Sequence, residues 1–287
     1  MNKTSIEWCT HTLNPIRARW KYRIEVEGKI VGGPKDAPII EVFLDKATLL
    51  KPLRMRKPAR IFWNDMSDLF GDWVPDEWID KHFAVMALTP QHTHLVLTKR
   101  AKRMREYWRN PAELRDRWFS ALLDPRIFPS DPRRALLGTR AAVAEGIGKG
   151  WRKIMLPNVH LGVSCENQKT ADERIPELLA TPAAVRWVSA EPLLEAVDFT
   201  SFLPRRLSLS EIPGSALNDG ATEMNSNGLD WIVVGGESGP GARPFDLAWA
   251  RSLIAQCRAA GVPVFKSSKG GTPSEWPEDL RVREYPA

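Results

Sequence analysis

Thiols are scarce in this 287-residue chain: Cys9, Cys165 and Cys257 lie far apart, and none belongs to a C-x-x-C pair. An odd, dispersed set excludes a disulfide framework. It also excludes a zinc ribbon or an iron–sulfur cluster, each of which needs about four clustered thiolates. Histidine is equally thin. His82, His92, His94 and His160 do not pair with cysteine or carboxylates at metal-ligand spacing, so they read as structural and no metal site is expected. No stretch approaches about 18 consecutive apolar residues, which leaves no candidate membrane span. The opening MNKTSIEWCTHTLNP has no basic stretch followed by an apolar one. No signal peptide is therefore expected, and a cytoplasmic location follows as the expectation.

What is present is ordinary globular composition, 43% hydrophobic and 26% charged. A chain of this length can bury a large core without disulfides or a structural metal. The charge is unevenly spread. Lys99 to Lys153 holds 15 Lys and Arg against 6 Asp and Glu, within a chain of net charge +6. Arg100, Lys102, Arg103, Arg105 and Arg109 crowd together with Tyr107 and Trp108 among them. Cations interleaved with aromatics suit a phosphate backbone with stackable bases, so nucleic acid is a candidate partner through Arg100–Arg109. A solvated helical face is the alternative.

Six short segments read as strands: Arg60–Asn64, Thr93–Thr98, Val159–Ser164, Val185–Ser189, Trp231–Gly235 and Pro263–Lys266, with a weaker seventh near Ile6–Thr12. Several are nearly continuous apolar runs, the pattern of parallel strands buried on both faces. Helical periodicity falls between them. Asp76–Leu88 is bracketed by Pro75 and Pro90, and Leu247–Ala260 starts after Asp246 and stops at Gly261. A helix after Asn167 has Thr170 and Glu173 as a capping box, with Pro176 predicting a kink or a late start. Alternating strands and helices imply βαβ units, a parallel sheet and right-handed crossovers. The expected fold is an α/β incomplete (βα) barrel of about six or seven mostly parallel strands, spanning residues 1–266 as a single domain. Helical insertion 109–157, loop insertion 203–229 and an irregular tail 267–287 complete the organisation.

Ligands of parallel α/β folds sit beyond the carboxyl ends of the strands. There the strands turn polar: Asn64, Asp65, Ser67 and Asp68 after the first, Thr98, Lys99 and Arg100 after the second, Ser164 and Glu166 after the third. Ser189 and Glu191 follow the fourth, and Lys266 ends the last. The fifth runs into GGESGPG, whose Gly235, Gly236, Glu237 and Ser238 suggest an amide nest for an anion; a tight turn explains the same glycines. Glu166, Glu191 and Lys266 are the candidate catalytic groups. Asp65, Ser67, Thr98, Lys99, Arg100, Gly235, Gly236, Glu237 and Ser238 are the candidate ligand-binding groups. For any one residue, helix capping or a polar loop explains the same observation. Cys165, beside Glu166, is the one thiol whose position suggests reactivity.

Long motifs also resemble a known family: SIEWCTHTLNPIRAR, MSDLFGDWVPDEW, MALTPQHTHLVLTKRAKRMREY, LPNVHLGVSCENQKTADERIPELLATPAAVRWVSAEPLLEAVDF, LDWIVVGGESGPGARPFDLAWARSLIAQCRAAGVPVFK and EWPEDLRVREYP. They are similar to the phage gp-thirty-seven/gp-sixty-eight family, a radical-SAM-like domain of unknown function with a three-cysteine motif. The resemblance implies an incomplete (βα) barrel, a four-iron–four-sulfur cluster and S-adenosylmethionine. Members usually carry C-x6-C-x2-C shortly after the segment matching Trp8–Pro15. Here no cysteine occurs from Pro15 to Arg60, and WKYRIEVEGKIVGGPKDAP stands in that place. The ending of the last strand is also altered, to Phe265, Lys266 and Ser267. The resemblance therefore carries the fold but not the cofactors, and none is expected. Three readings follow: a cluster-free phage or prophage barrel binding a nucleotide-like ligand or nucleic acid at its mouth, an acid–base enzyme using the carboxylates and lysine, or a non-catalytic nucleic-acid-binding module.

Overall fold

The protein's structure, a computed structural model, describes residues 8–21, 25–26, 29–30, 39–124, 156–204, 228–237, 239–267 and 277–286. Strand β1 (His11–Leu13) is followed by β2 (Ile16–Lys21), β3 (Glu25–Val26), β4 (Lys29–Ile30) and β5 (Ile39–Leu44). The last four form two small antiparallel ladders, β2 with β5 and β3 with β4. A short helix α1 (Lys46–Leu49), capped by the Asp45 carboxylate, leads on to β6 (Arg60–Trp63). The chain then alternates: α2 (Asp76–Ala87), β7 (Thr93–Thr98), α3 (Ala101–Tyr107), α4 (Pro111–Leu123), β8 (Val159–Ser164), α5 (Gln168–Leu179), β9 (Val185–Ala190), β10 (Trp231–Val234), α6 (Leu247–Ala260) and β11 (Val264–Lys266).

Seven of these strands pair in the order β1-β6-β7-β8-β9-β10-β11, every ladder parallel. The sheet curls into a half-barrel, the incomplete (βα) barrel that the apolar runs imply. Both faces are buried, which is why the strand sequences are apolar throughout rather than alternating. On the outer face, Ile61, Val96, Leu161, Val188, Ile232 and Val264 pack with Phe83 of α2, Ile175 of α5 and Leu253 of α6. On the inner face a separate cluster forms from Phe62, Leu95, Trp187, Trp231, Val233 and Phe265. Trp8, just before β1, plugs it. Its ring lies edge-on to Phe62 at 4.7 Å and to Trp187 at 5.1 Å. Gly162 makes room for this plug, because a Cβ there would overlap the Trp187 indole.

Four expectations need correction. The first strand is His11–Leu13 rather than Ile6–Thr12. Pro176 sits inside α5 without delaying its start at Gln168. It falls too far along for its missing N–H to matter at the first turn, so the cap sets the start. That cap is reciprocal between Asn167 and Thr170; Glu173 takes no part in it. The tail is not wholly irregular. After a 3-10 turn at Glu278–Leu280 the chain returns along β11, with Arg283 bridging Phe265 in antiparallel fashion. The Lys266 backbone N–H donates to the Val282 carbonyl at 2.9 Å, and the Glu284 backbone N–H to the Val264 carbonyl at 2.9 Å. Tyr285 then packs on Trp231 and Phe265, with the Arg60 guanidinium 4.0 Å from its ring centroid. The tail thus ties the last strand to β6 beneath the plug. Insertion 109–157 contributes α4, while residues 125–155 of it, and 205–227 of the loop insertion, lie outside the described residues.

Candidate functional site

Strand alternation decides which polar tips share a space, because successive side chains point to opposite faces. Val163 on β8 and Cys165 just past it join the outer core, so Ser164 and then Glu166 emerge on the inner side. Ser189 stands opposite Ser164 in the β8–β9 register, and Glu191 follows two residues on. Ser189 is paired in turn with Val233 of β10, and Val233 with Phe265 of β11. One step higher come Gly235 and Ser267. A Cβ on Gly235 would overlap both the Glu191 carboxylate and the Ser267 hydroxyl, so these three groups converge. The Ser267 hydroxyl donates to Glu191 Oε1. Lys99, two residues past the inner-facing Leu97, donates its ammonium to Glu166 Oε1. The inner mouth therefore gathers Lys99, Ser164, Glu166, Ser189, Glu191, Gly235 and Ser267 directly above the aromatic plug.

Glu166 is the best-held group. Its second oxygen accepts from Arg174 Nη1 at 3.0 Å, and that same nitrogen donates to the Ser164 carbonyl at 2.7 Å. Burial by itself would raise its pKa, but the hydrogen bond and charge of Lys99, with the charge of Arg174, outweigh burial and hold the carboxyl below its ordinary value. It is a carboxylate at neutral pH and a fixed negative point in the wall.

The other predicted residues lie elsewhere. Thr98 and Arg100 share the outer parity of Val96 and converge on Asp68. The Thr98 hydroxyl donates to Asp68 Oδ1 at 2.8 Å, and Arg100 Nη1 and the Lys99 N–H donate to Oδ2 at 3.1 Å each. Asp68 thus clamps the β6 and β7 strand ends together. Lys266 shares the parity of Val264, opposite Phe265 and Ser267; its buried ammonium donates to the Ser267 carbonyl at 2.7 Å and lies 5.0 Å from the Phe245 ring centroid. Glu237 is engaged by Arg243 through both carboxylate oxygens, at 2.9 Å and 3.1 Å; these bonds draw its pKa down to about 2. Asp65 is exposed and accepts from Asn14, while the buried Ser67 hydroxyl has no hydrogen-bond partner among the described residues. Gly236 is buried, and Ser238 lies outside the described residues. The Gly235 N–H donates to the Ala190 carbonyl at 3.2 Å, so it is spent within the sheet rather than offered to an anion.

The thiols sit in three separate settings. Burial pushes Cys165 and Cys257 each up to about 12 and Cys9 up to about 11, the reverse of an activated thiol. Three of the five cations between Arg100 and Arg109 are spent internally. Arg100 pairs with Asp68, Arg103 with Asp76 and Arg105 with Glu177, stitching α3 to its neighbours.

A family model described as "Protein of unknown function (DUF5131)" matches residues 3–281. The chain belongs to that family. No curated protein and no solved structure matches it. The DUF5131 match covers both the barrel strands and the residues of the inner mouth, so plug and mouth are parts of one family domain. In this DUF5131 chain the thiols do not fit a four-iron–four-sulfur cluster. Cys165 is buried after β8, Cys257 is buried on α6 and Cys9 precedes β1. Among the described residues, no group of three His, Cys, Asp or Glu is placed to hold a metal ion. No helix among them is long and apolar enough to cross a membrane.

Two site residues were not singled out from the sequence. Ser267 was visible only as part of an altered strand ending, and Arg174 as one charge on a helix. Period-two counting from each strand's last apolar residue finds Ser267. Arg174 has no such signal, since it reaches the mouth from α5.

Proposed function

We propose that this DUF5131 chain binds a nucleotide-like ligand at the inner mouth of its half-barrel and does so without an iron–sulfur cluster. The observation that carries the reading is the layering of the inner face. An apolar aromatic floor is overlain by polar tips that follow β7, β8, β9 and β11, the arrangement of a concave site with an apolar base and a few convergent polar groups. The motif resemblance to the phage gp-thirty-seven/gp-sixty-eight family supports a radical-SAM-like ancestry and a phage or prophage origin as part of the same reading. The missing cysteine motif supports loss of the cluster.

The acid–base alternative draws on Glu166 and Glu191 but has Lys266 on the opposite face of the sheet. The nucleic-acid alternative loses three of its five cations, Arg100, Arg103 and Arg105, to internal ion pairs.

Titration calorimetry with adenosine, ATP and S-adenosylmethionine tests the reading. Saturable binding to one site per chain, weakened by Glu191→Gln, is expected. Absence of binding to all three would overturn it. Anaerobic reconstitution yielding about four irons per chain and visible cluster absorbance would overturn the cluster-free part.

A further inference from the structure

Ser164 and Ser189 are neighbours across the β8–β9 ladder, 4% and 3% exposed, and both point into the inner mouth. The charged and polar groups around them, Lys99, Glu166, Glu191 and Ser267, are each engaged in hydrogen bonds with one another or with Arg174. Two adjacent hydroxyls on the same face, at the lateral strand spacing of about 4.8 Å, form a paired donor–acceptor edge. The charges around them are Lys99 and Arg174 against Glu166, with Glu191 and its Ser267 partner on the far side. At this depth two cations balance two carboxylates and each is already engaged, so no net charge is left to draw an anion inward, whereas a neutral hydrogen-bonding group meets matched partners. Further out the balance changes. Lys99 is 56% exposed at the rim.

We infer that Ser164 and Ser189 form the innermost ligand subsite, holding an uncharged hydroxyl or amide group, while any phosphate of the ligand stays outside beside Lys99. This deepens the proposed function and rests on it, since it fixes which end of a nucleotide-like ligand enters first. The prediction is that a charge on the ligand contributes to affinity only at the rim.

Calorimetry with adenosine and ATP on the full chain tests it, alongside Ser164→Ala, Ser189→Ala, the double variant and Lys99→Met. Adenosine is expected to bind within about tenfold of ATP. Each serine variant should weaken both ligands by about tenfold, the loss expected for a buried hydrogen bond, with an unchanged melting temperature. Lys99→Met should weaken ATP alone, and that loss should shrink as salt is raised. Wild-type protein that binds ATP but not adenosine, or a double serine variant that binds both within twofold of wild type, overturns the inference and leaves the proposed function standing. Wild-type protein that binds neither ligand overturns both.

Discussion

The two ends of the half-barrel are built on opposite principles. At the floor, Trp8, Phe62, Trp187, Trp231 and Phe265 exclude water, and the returning tail seals the underside. At the mouth, two or three residues along the same strands, the side chains are Ser164, Ser189, Glu166, Glu191 and Ser267. The backbone ladders continue unbroken from one to the other, so only side-chain chemistry changes. The floor contributes burial and rigidity, and the mouth carries groups that contribute little to stability. Substitutions should therefore separate cleanly: large losses of stability below, small ones above.

The largest effect is expected at the floor. Trp187→Ala removes a side chain that touches Trp8 at 5.1 Å and Trp231 at 5.3 Å, and should cost about 3–5 kcal/mol in chemical denaturation. If it cost under about 1 kcal/mol, the plug would not be a rigid base. Acid should come next. Burial depresses the imidazoles of His82 and His94 to about 4 and about 3, below the unfolded value of 6.5. The unfolded chain then binds protons that the folded chain refuses, so stability is fully present above pH 6.5 and falls as pH drops toward 4. The loss is read as a falling melting temperature across that window. A flat profile would contradict the neutral, buried assignment. Tyr285→Ala should cost about 1–3 kcal/mol and raise amide exchange along β11. The smallest effect belongs to the mouth. Lys99→Met should change stability by less than about 1 kcal/mol, because an ion pair of a half-exposed lysine is worth little. A much larger loss would make the Lys99–Glu166 pair a structural tie and blur the contrast.

The strands were legible because burial on both faces leaves unbroken apolar runs. Thr93–Thr98 and Val159–Ser164 emerge with the boundaries read from sequence, and α6 with its Asp246 cap and Gly261 stop. The site is legible only in part, because polarity at a strand end does not by itself say which face of the sheet each tip takes. Alternation splits them: Thr98, Arg100 and Lys266 fall to the helix-facing side, and Lys99, Glu166, Glu191 and Gly235 to the mouth. That signal lay in the same apolar runs, counted one residue further. The β2–β5 ladder and the tail's return were hidden for another reason. Each is an antiparallel pairing of an apolar segment, Ile39–Leu44 or β11, with a partner rich in charge, Ile16–Lys21 or the tail, which shows no apolar run of its own. In the tail, the alternation of buried Leu280 and Val282 with exposed Arg281 and Arg283 was the only trace.

Arg283 and its neighbours occupy the outer rim of β11, where a sheet would otherwise present unsatisfied amides. A chain cut before Leu280 would leave that rim bare and beside it an uncovered Trp231. Such a product should associate through strand addition and aggregate, so fusions intended for expression belong beyond residue 286 on a flexible linker.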